Sequence, residues 1–127
     1  MVLQRIPLTL RRRAFWMCVA AVLALALATP GRYLPTTGWD KANHALAFGV
    51  LAVLGGIAYP GRLARLLVAL LAYGALIEVL QSLTPDRSAE WLDLLADAVG
   101  LLLAAPLARR LLAPSATTRT AGESAQR

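Results

Sequence analysis

Residues 63–83 read LARLLVALLAYGALIEVLQSL, and this stretch decides the fold class. It carries only two charged side chains, Arg65 and Glu78. At a rise of about 1.5 Å per residue, a helix of this length spans roughly 30 Å, the thickness of a bilayer hydrocarbon core. Backbone polar groups in lipid must bond within their own segment, so the stretch is predicted to be a transmembrane helix.

Three further apolar stretches lie on either side of it, over residues 14–29, 42–59 and 92–112. The 127 residues are 58% hydrophobic and 16% charged, whereas a soluble domain usually has about 25% charged residues. We therefore predict an all-α integral membrane protein, a bundle of four transmembrane helices over 14–112. Residues 1–13 would form a basic N-terminus, and residues 113–127, rich in Ser, Thr and Ala, a disordered tail.

The basic residues are distributed unequally between the two predicted membrane faces. One face holds ten of them: Arg5, Arg11, Arg12, Arg13, Arg62, Arg65, Arg109, Arg110, Arg119 and Arg127. The other face holds Arg32, Lys41 and Arg87. Because cytoplasmic loops are enriched in Lys and Arg, both termini are predicted to be cytoplasmic. The net charge of +6 is then explained by membrane orientation, and no nucleic-acid partner is predicted.

The first apolar stretch allows a second interpretation. A basic region, an apolar run and the sequence Ala26-Leu27-Ala28 together resemble a cleavable signal peptide. Cleavage would leave three helices. Cys18, in the same run, is the only cysteine, so no internal disulfide can form.

The acidic residues indicate where a site would lie. All seven except Glu123 fall at or near the predicted outer face, together with the only histidine, His44. His44, Glu78 and Asp97 belong to three different predicted helices and lie at a similar depth, roughly 6–8 Å below the outer helix ends. An acid at the centre of a membrane helix costs about 2.5–3.5 kcal/mol, and less near the interface. These side chains are therefore expected to face one another or a water-filled pocket.

Helical spacing predicts a shared face. Asp40 and His44 are four residues apart, so the carboxylate could orient the imidazole, and Asp93 is four residues before Asp97. Glu78 and Gln81 are three residues apart. Small residues follow on the fourth helix at a spacing that permits close helix packing in lipid: Ala96, Gly100, Ala104 and Ala108.

Structural explanations exist for the same residues. Asp40 and Asp93 could cap their helices, and Glu78 with Gln81 could form an interhelical hydrogen bond. Asp86, Arg87 and Glu90 could belong to a solvated loop. The ligand spacing matches no familiar metal motif, so neither a metal nor another cofactor is predicted.

The order of motifs between Asp40 and Ala105 resembles the VanZ-like membrane protein family. The residues that carry the resemblance are Asp40-Lys41-x-x-His44, Ala47-Phe48, Tyr73-Gly74, Ile77-Glu78-x-x-Gln81, Pro85, Arg87, Trp91-x-Asp93 and Asp97-x-x-Gly100. Asp97 is a departure, because many relatives carry Asn there. The resemblance implies a multi-pass protein of the bacterial cytoplasmic membrane. It also implies a link to glycopeptide resistance, especially to teicoplanin, and a likeness to enzymes proposed to act on lipid head groups.

A catalytic site for a phosphate-linked lipid head group at the outer leaflet is our first hypothesis. His44, oriented by Asp40, would be the general base or nucleophile, and Glu78 or Asp97 would supply a proton. Four further residues are expected to contact substrate: Lys41, Gln81, Arg87 and Asp93. A non-enzymatic protein that binds or shields an envelope lipid is the alternative, and a transporter ranks last. Beyond a membrane lipid, the partners expected are a second copy of the chain or another envelope protein.

Overall fold

Four helices make up the regular structure of the described part of the chain. The computed structural model describes residues 6–28, 40–84 and 90–112, without the side chains of Asp40 and Leu112. In chain order the helices are α1 (Leu8–Leu27), α2 (Asp40–Ala58), α3 (Leu63–Ser82) and α4 (Trp91–Leu112). Within the described ranges no residue is in a β-strand. The predicted all-α class and the number of helices are confirmed.

Three of the helices are long and apolar enough to cross a membrane. The qualifying segments are Lys41–Ala58, Leu63–Ser82 and Trp91–Leu111. The protein is therefore a multi-pass membrane protein. Helix α1 is 20 residues long but begins at Leu8, directly after Pro7, and so includes Arg11, Arg12 and Arg13. Arginine is a good helix former, so the helix extends beyond the apolar run that hydropathy detects.

Helices α2 and α4 pack closely because glycines remove side chains from their contact. A Cβ atom on Gly100 would collide with the backbone carbonyl of Ala45. Gly49 faces the same turn of α4, where a Cβ would meet the Gly100 carbonyl oxygen at 3.5 Å and the Ala104 Cβ at 3.8 Å. Ala108 is fully buried one turn further along. The predicted packing face of small residues on α4 is confirmed.

Helix α1 is attached to the other helices by aromatic and polar contacts. Phe15 is buried and meets the Tyr59 ring edge to face at 5.7 Å. The Tyr73 hydroxyl donates to the Val19 carbonyl at 2.7 Å, and the Gln81 amide donates to the Ala26 carbonyl at 3.0 Å. These α3-to-α1 hydrogen bonds satisfy polar groups that would otherwise be unpaired in an apolar surrounding.

The two ends of the bundle carry different charges. The start of α1, the α2–α3 turn and the end of α4 form the basic end, whose described arginines are Arg11, Arg12, Arg13, Arg62, Arg65, Arg109 and Arg110. The starts of α2 and α4 and the end of α3 form the acidic end, whose described ionisable side chains are Lys41, His44, Glu78, Glu90, Asp93 and Asp97. The turn at the basic end uses Gly61 at φ 78°, a left-handed conformation that favours glycine.

Candidate functional site

A histidine–aspartate pair joins α2 to α4 at the acidic end. His44 Nδ1 lies 3.0 Å from Asp97 Oδ1, and the Asp97 side chain is 1% exposed. With the proton on Nδ1, the ring donates to Asp97 and directs Nε2 toward Asp93, whose Oδ2 is 4.0 Å away. The pair therefore fixes the ring orientation of the only histidine in the chain.

Glycine on α3 provides the space for this pair. A Cβ atom on Gly74 would collide with Asp97 Oδ2 and lie 3.2 Å from the Phe48 ring. Phe48 is itself buried, one turn after His44 on α2. A side chain at position 74 would therefore displace the carboxylate that holds the histidine.

Lys41 is bound by two carboxylates at the acidic end. Its Nζ donates to Glu90 Oε2 at 2.7 Å and to Asp93 Oδ1 at 3.2 Å. The bond from Lys41 lowers the pKa of the Glu90 carboxyl below its ordinary value. Asp93 is buried in the first turn of α4, where the helix dipole favours a negative charge. Asp93 thus links the half-exposed lysine to the partly buried histidine.

Glu78 is the buried carboxyl that α3 contributes. Its side chain accepts a hydrogen bond from the backbone N–H of Glu90 on Oε2, at 2.8 Å. Among the residues that the structure describes, the other oxygen, Oε1, is buried without a hydrogen-bond partner. One potential ligand atom from each of His44, Glu78 and Asp93 lies within 4.8 Å of the others, so these three residues could hold a metal ion.

The structure brings most of the predicted residues together. His44, Lys41, Asp93 and Asp97 form one chain of contacts, and Glu78 lies beside it. This agrees with the expectation that three helices deliver ionisable groups to one place.

Other predicted residues are placed differently or not described. The Gln81 amide donates to the α1 backbone, as stated above, and substrate orientation by Gln81 stays a prediction. Arg87 and the side chain of Asp40 lie outside the described residues. Asp97 contacts His44 Nδ1, and orientation of His44 by Asp40 stays a prediction.

Glu90 is a site residue that the sequence does not predict, since its position is also compatible with a solvated loop. Its side chain is half exposed, which fits that assignment, yet it pairs with Lys41. Its backbone N–H also anchors Glu78. The available indication was its spacing, since Glu90 precedes Asp93 by three residues, one turn at the start of α4.

Comparisons with known proteins identify the family and little else. No curated protein and no solved structure matches the chain significantly. One family model, described as VanZ/LLP1, matches residues 3–113. That range contains all four helices and every ionisable residue of the acidic end. With this match over most of its length, the chain belongs to the VanZ/LLP1 family.

Proposed function

We propose that the acidic end binds a phosphate-linked head group of an envelope lipid and cleaves or transfers it. The reaction takes place at the outer leaflet of the bacterial cytoplasmic membrane. The observation that carries this proposal is the His44–Asp97 contact of 3.0 Å, buried among carboxyl groups at one end of a membrane bundle. Burying several ionisable groups near lipid is costly, so their assembly from separate helices indicates a chemical use.

The residues divide into three roles. Lys41, with 44% of its side chain exposed, contacts phosphate oxygens, and Arg87 is proposed to assist it. Asp97 holds the histidine through Nδ1, which makes Nε2 the atom through which His44 activates the attacking group. Glu78 handles a proton at the buried side of the site. In hydrolysis, water forms the new P–O bond, the bond to the leaving oxygen breaks, and the proton lost by water ends on that oxygen.

A protein that binds a lipid head group without changing it is the second candidate. The exposed Lys41 at the mouth of the site favours this reading, because an ammonium group binds phosphate without any proton transfer. In such a protein Lys41 matters and Glu78 does not. The association of the family with glycopeptide resistance fits either candidate.

Comparison of envelope lipids from cells with and without the protein tests both candidates. A cleaving or transferring enzyme changes the ratio of two lipid species, and His44→Ala and Glu78→Gln abolish that change at normal protein level. Leu46→Ala is the matched control, since Leu46 lies on the same helix as His44 with its side chain 69% exposed. The binder would be established instead if the lipid composition is unchanged and the effect of the protein on the cells is retained by Glu78→Gln but lost in Lys41→Met.

A further inference from the structure

The unpaired oxygen of Glu78 needs a partner. Glu78 is 8% exposed, and its Oε1 has no hydrogen-bond partner among the described residues. A buried polar atom without a partner destabilises the folded state, and a charged one does so more strongly. A proton, a water molecule or a cation bound at this oxygen would remove that cost.

The atoms around Glu78 form a set of metal ligands. Ligand atoms of His44, Glu78 and Asp93 lie within 4.8 Å of one another, and His44 Nε2 is 4.0 Å from Asp93 Oδ2. An ion can be placed within about 2.8 Å of three atoms at such separations. Inward side-chain movement of roughly 0.6–0.8 Å then gives the bonds of about 2.0–2.2 Å that Zn²⁺ forms with nitrogen and oxygen.

Hydrogen bonds with residues outside the set also orient the three ligand side chains. Metal-binding histidines usually donate their second ring N–H to a carboxylate or carbonyl, which fixes the tautomer and the ring direction. Asp97 Oδ1, 3.0 Å from His44 Nδ1, has this position. The Glu90 N–H holds Glu78 Oε2, and Lys41 holds Asp93 Oδ1. Each of the three ligand residues is therefore held by a hydrogen bond from or to a residue outside the set.

The excess of carboxyl groups at the acidic end is a third reason to expect a bound cation. The described carboxyl side chains at the acidic end are Glu78, Glu90, Asp93 and Asp97, and the basic side chains described beside them are Lys41 and His44. Glu90 and Asp93 already share Lys41. A divalent cation between Glu78 and Asp93 would offset negative charge that is costly in a low-dielectric surrounding.

We propose that His44, Glu78 and Asp93 bind one divalent transition-metal ion, with water or substrate in the remaining coordination position. One imidazole and two carboxylates favour Zn²⁺ and Mn²⁺ over Mg²⁺, which prefers oxygen ligands alone. The inference deepens the proposed function, on which its catalytic consequence rests. As ligands, His44 and Glu78 would act on the attacking group through the ion, and not as the base or nucleophile and the proton carrier of the metal-free mechanism.

Binding is measured on the purified full chain in detergent, without a polyhistidine tag and after removal of metal by a chelator. Calorimetric titration with Zn²⁺ is expected to show one equivalent bound, Mn²⁺ weaker in agreement with the usual affinity order, and Mg²⁺ weakest. Glu78→Gln, Asp93→Asn and His44→Ala should each weaken Zn²⁺ binding by more than about 100-fold. Asp97→Asn, outside the coordination shell, should weaken it by about 10–100-fold.

Ser82→Ala is the matched control. It removes an exposed hydroxyl one turn after Glu78 on α3, where that hydroxyl donates to the Val79 carbonyl of the same helix, and should change Zn²⁺ affinity by no more than about threefold, as expected for a surface substitution. Gel filtration of each variant shows whether it is folded.

Absence of stoichiometric binding by the wild type would overturn the metal site, as would ligand variants that bind as tightly as Ser82→Ala. The comparison of envelope lipids separates a failure of the metal site from a failure of the proposed function. A lipid change without ion binding rejects only the ion, and ion binding without a lipid change rejects only the catalytic function.

Discussion

At the scale of single residues, the position of His44 depends on a contact between helices. Asp97 is more than 50 residues away in sequence, yet its carboxylate contacts the imidazole at 3.0 Å. Asp40, one turn earlier on the same helix, stays a predicted second partner, since its side chain lies outside the described residues. Local spacing identifies residues that share a face, but it cannot show which helix supplies the opposing side chain.

Glu90 and Lys41 provide a prediction at the residue scale. Because the Lys41 ammonium stabilises the carboxylate, the pKa of Glu90 lies below its ordinary value of 4.5. The lowered pKa means that this pairing is fully present above pH 4.5 and is lost as the pH falls through the folded-state pKa. Lys41→Met should raise the Glu90 pKa back toward 4.5, as followed by NMR of a carboxyl-labelled glutamate in micelles.

The assignment of that resonance comes from Glu90→Gln, in which it disappears. An identical Glu90 titration in wild type and Lys41→Met would show that the 2.7 Å pair does not form in solution.

At the scale of the helices, backbone contact between α2 and α4 places the ligand-bearing turns side by side. Asp93 and Asp97 precede Gly100 on α4, while Lys41 and His44 lie in the first turns of α2, just before Ala45. Membrane helices gain little from the hydrophobic effect, so they associate through close packing of small residues. The crossing at Gly100 and Ala45 is therefore part of what assembles the acidic end.

Gly100→Ala tests that crossing. The added Cβ would collide with the Ala45 carbonyl, which is backbone and cannot rotate away. We expect a loss of about 1–3 kcal/mol in the free energy of unfolding, as for other overpacked sites, together with loss of the His44–Asp97 contact. The measurement is reversible unfolding in mixed detergent micelles.

Gly49→Ala is the control from the same interface. Its added Cβ would meet neighbours at ordinary van der Waals distances, so the variant should be close to neutral. Equal destabilisation of the two variants would mean that glycine itself, rather than the tight contact at Gly100, matters.

The helices could be predicted from the sequence, but the side-chain contacts between them could be predicted only in part. Apolar runs located α2, α3 and α4 to within a few residues, because lipid requires long uninterrupted apolar segments. The start of α1 at Leu8 was not predicted, since hydropathy marks where lipid begins and not where the helix begins. The acidic cluster was predictable from depth. The roles of Gln81 and Glu90 were not, because each depends on a contact with another helix.

At the scale of the whole molecule, charge is separated along the bundle axis. The seven described arginines lie at the basic end, and every described acidic residue lies at the acidic end. Arg12 also lies over the Tyr59 ring at 5.2 Å, and Trp16 donates to the Tyr59 hydroxyl, which is the arrangement expected of aromatic residues near a head-group layer. The separation of basic and acidic residues between the two ends predicts a single orientation of the bundle in the membrane.

The orientation is tested by labelling cysteines at the two ends. Arg62 at the basic end and Ser82 at the acidic end both have exposed side chains, and replacing Cys18 with alanine removes the native thiol. Because arginine-rich ends stay in the cytoplasm, Ser82→Cys should react with a membrane-impermeant thiol reagent in right-side-out vesicles. Arg62→Cys should react only after the vesicles are permeabilised. The reverse pattern would place the acidic end in the cytoplasm and exclude any substrate in the outer leaflet. Binding of Zn²⁺ by the purified chain would be unaffected by that result, since the ligands and their geometry do not depend on which side of the membrane they face.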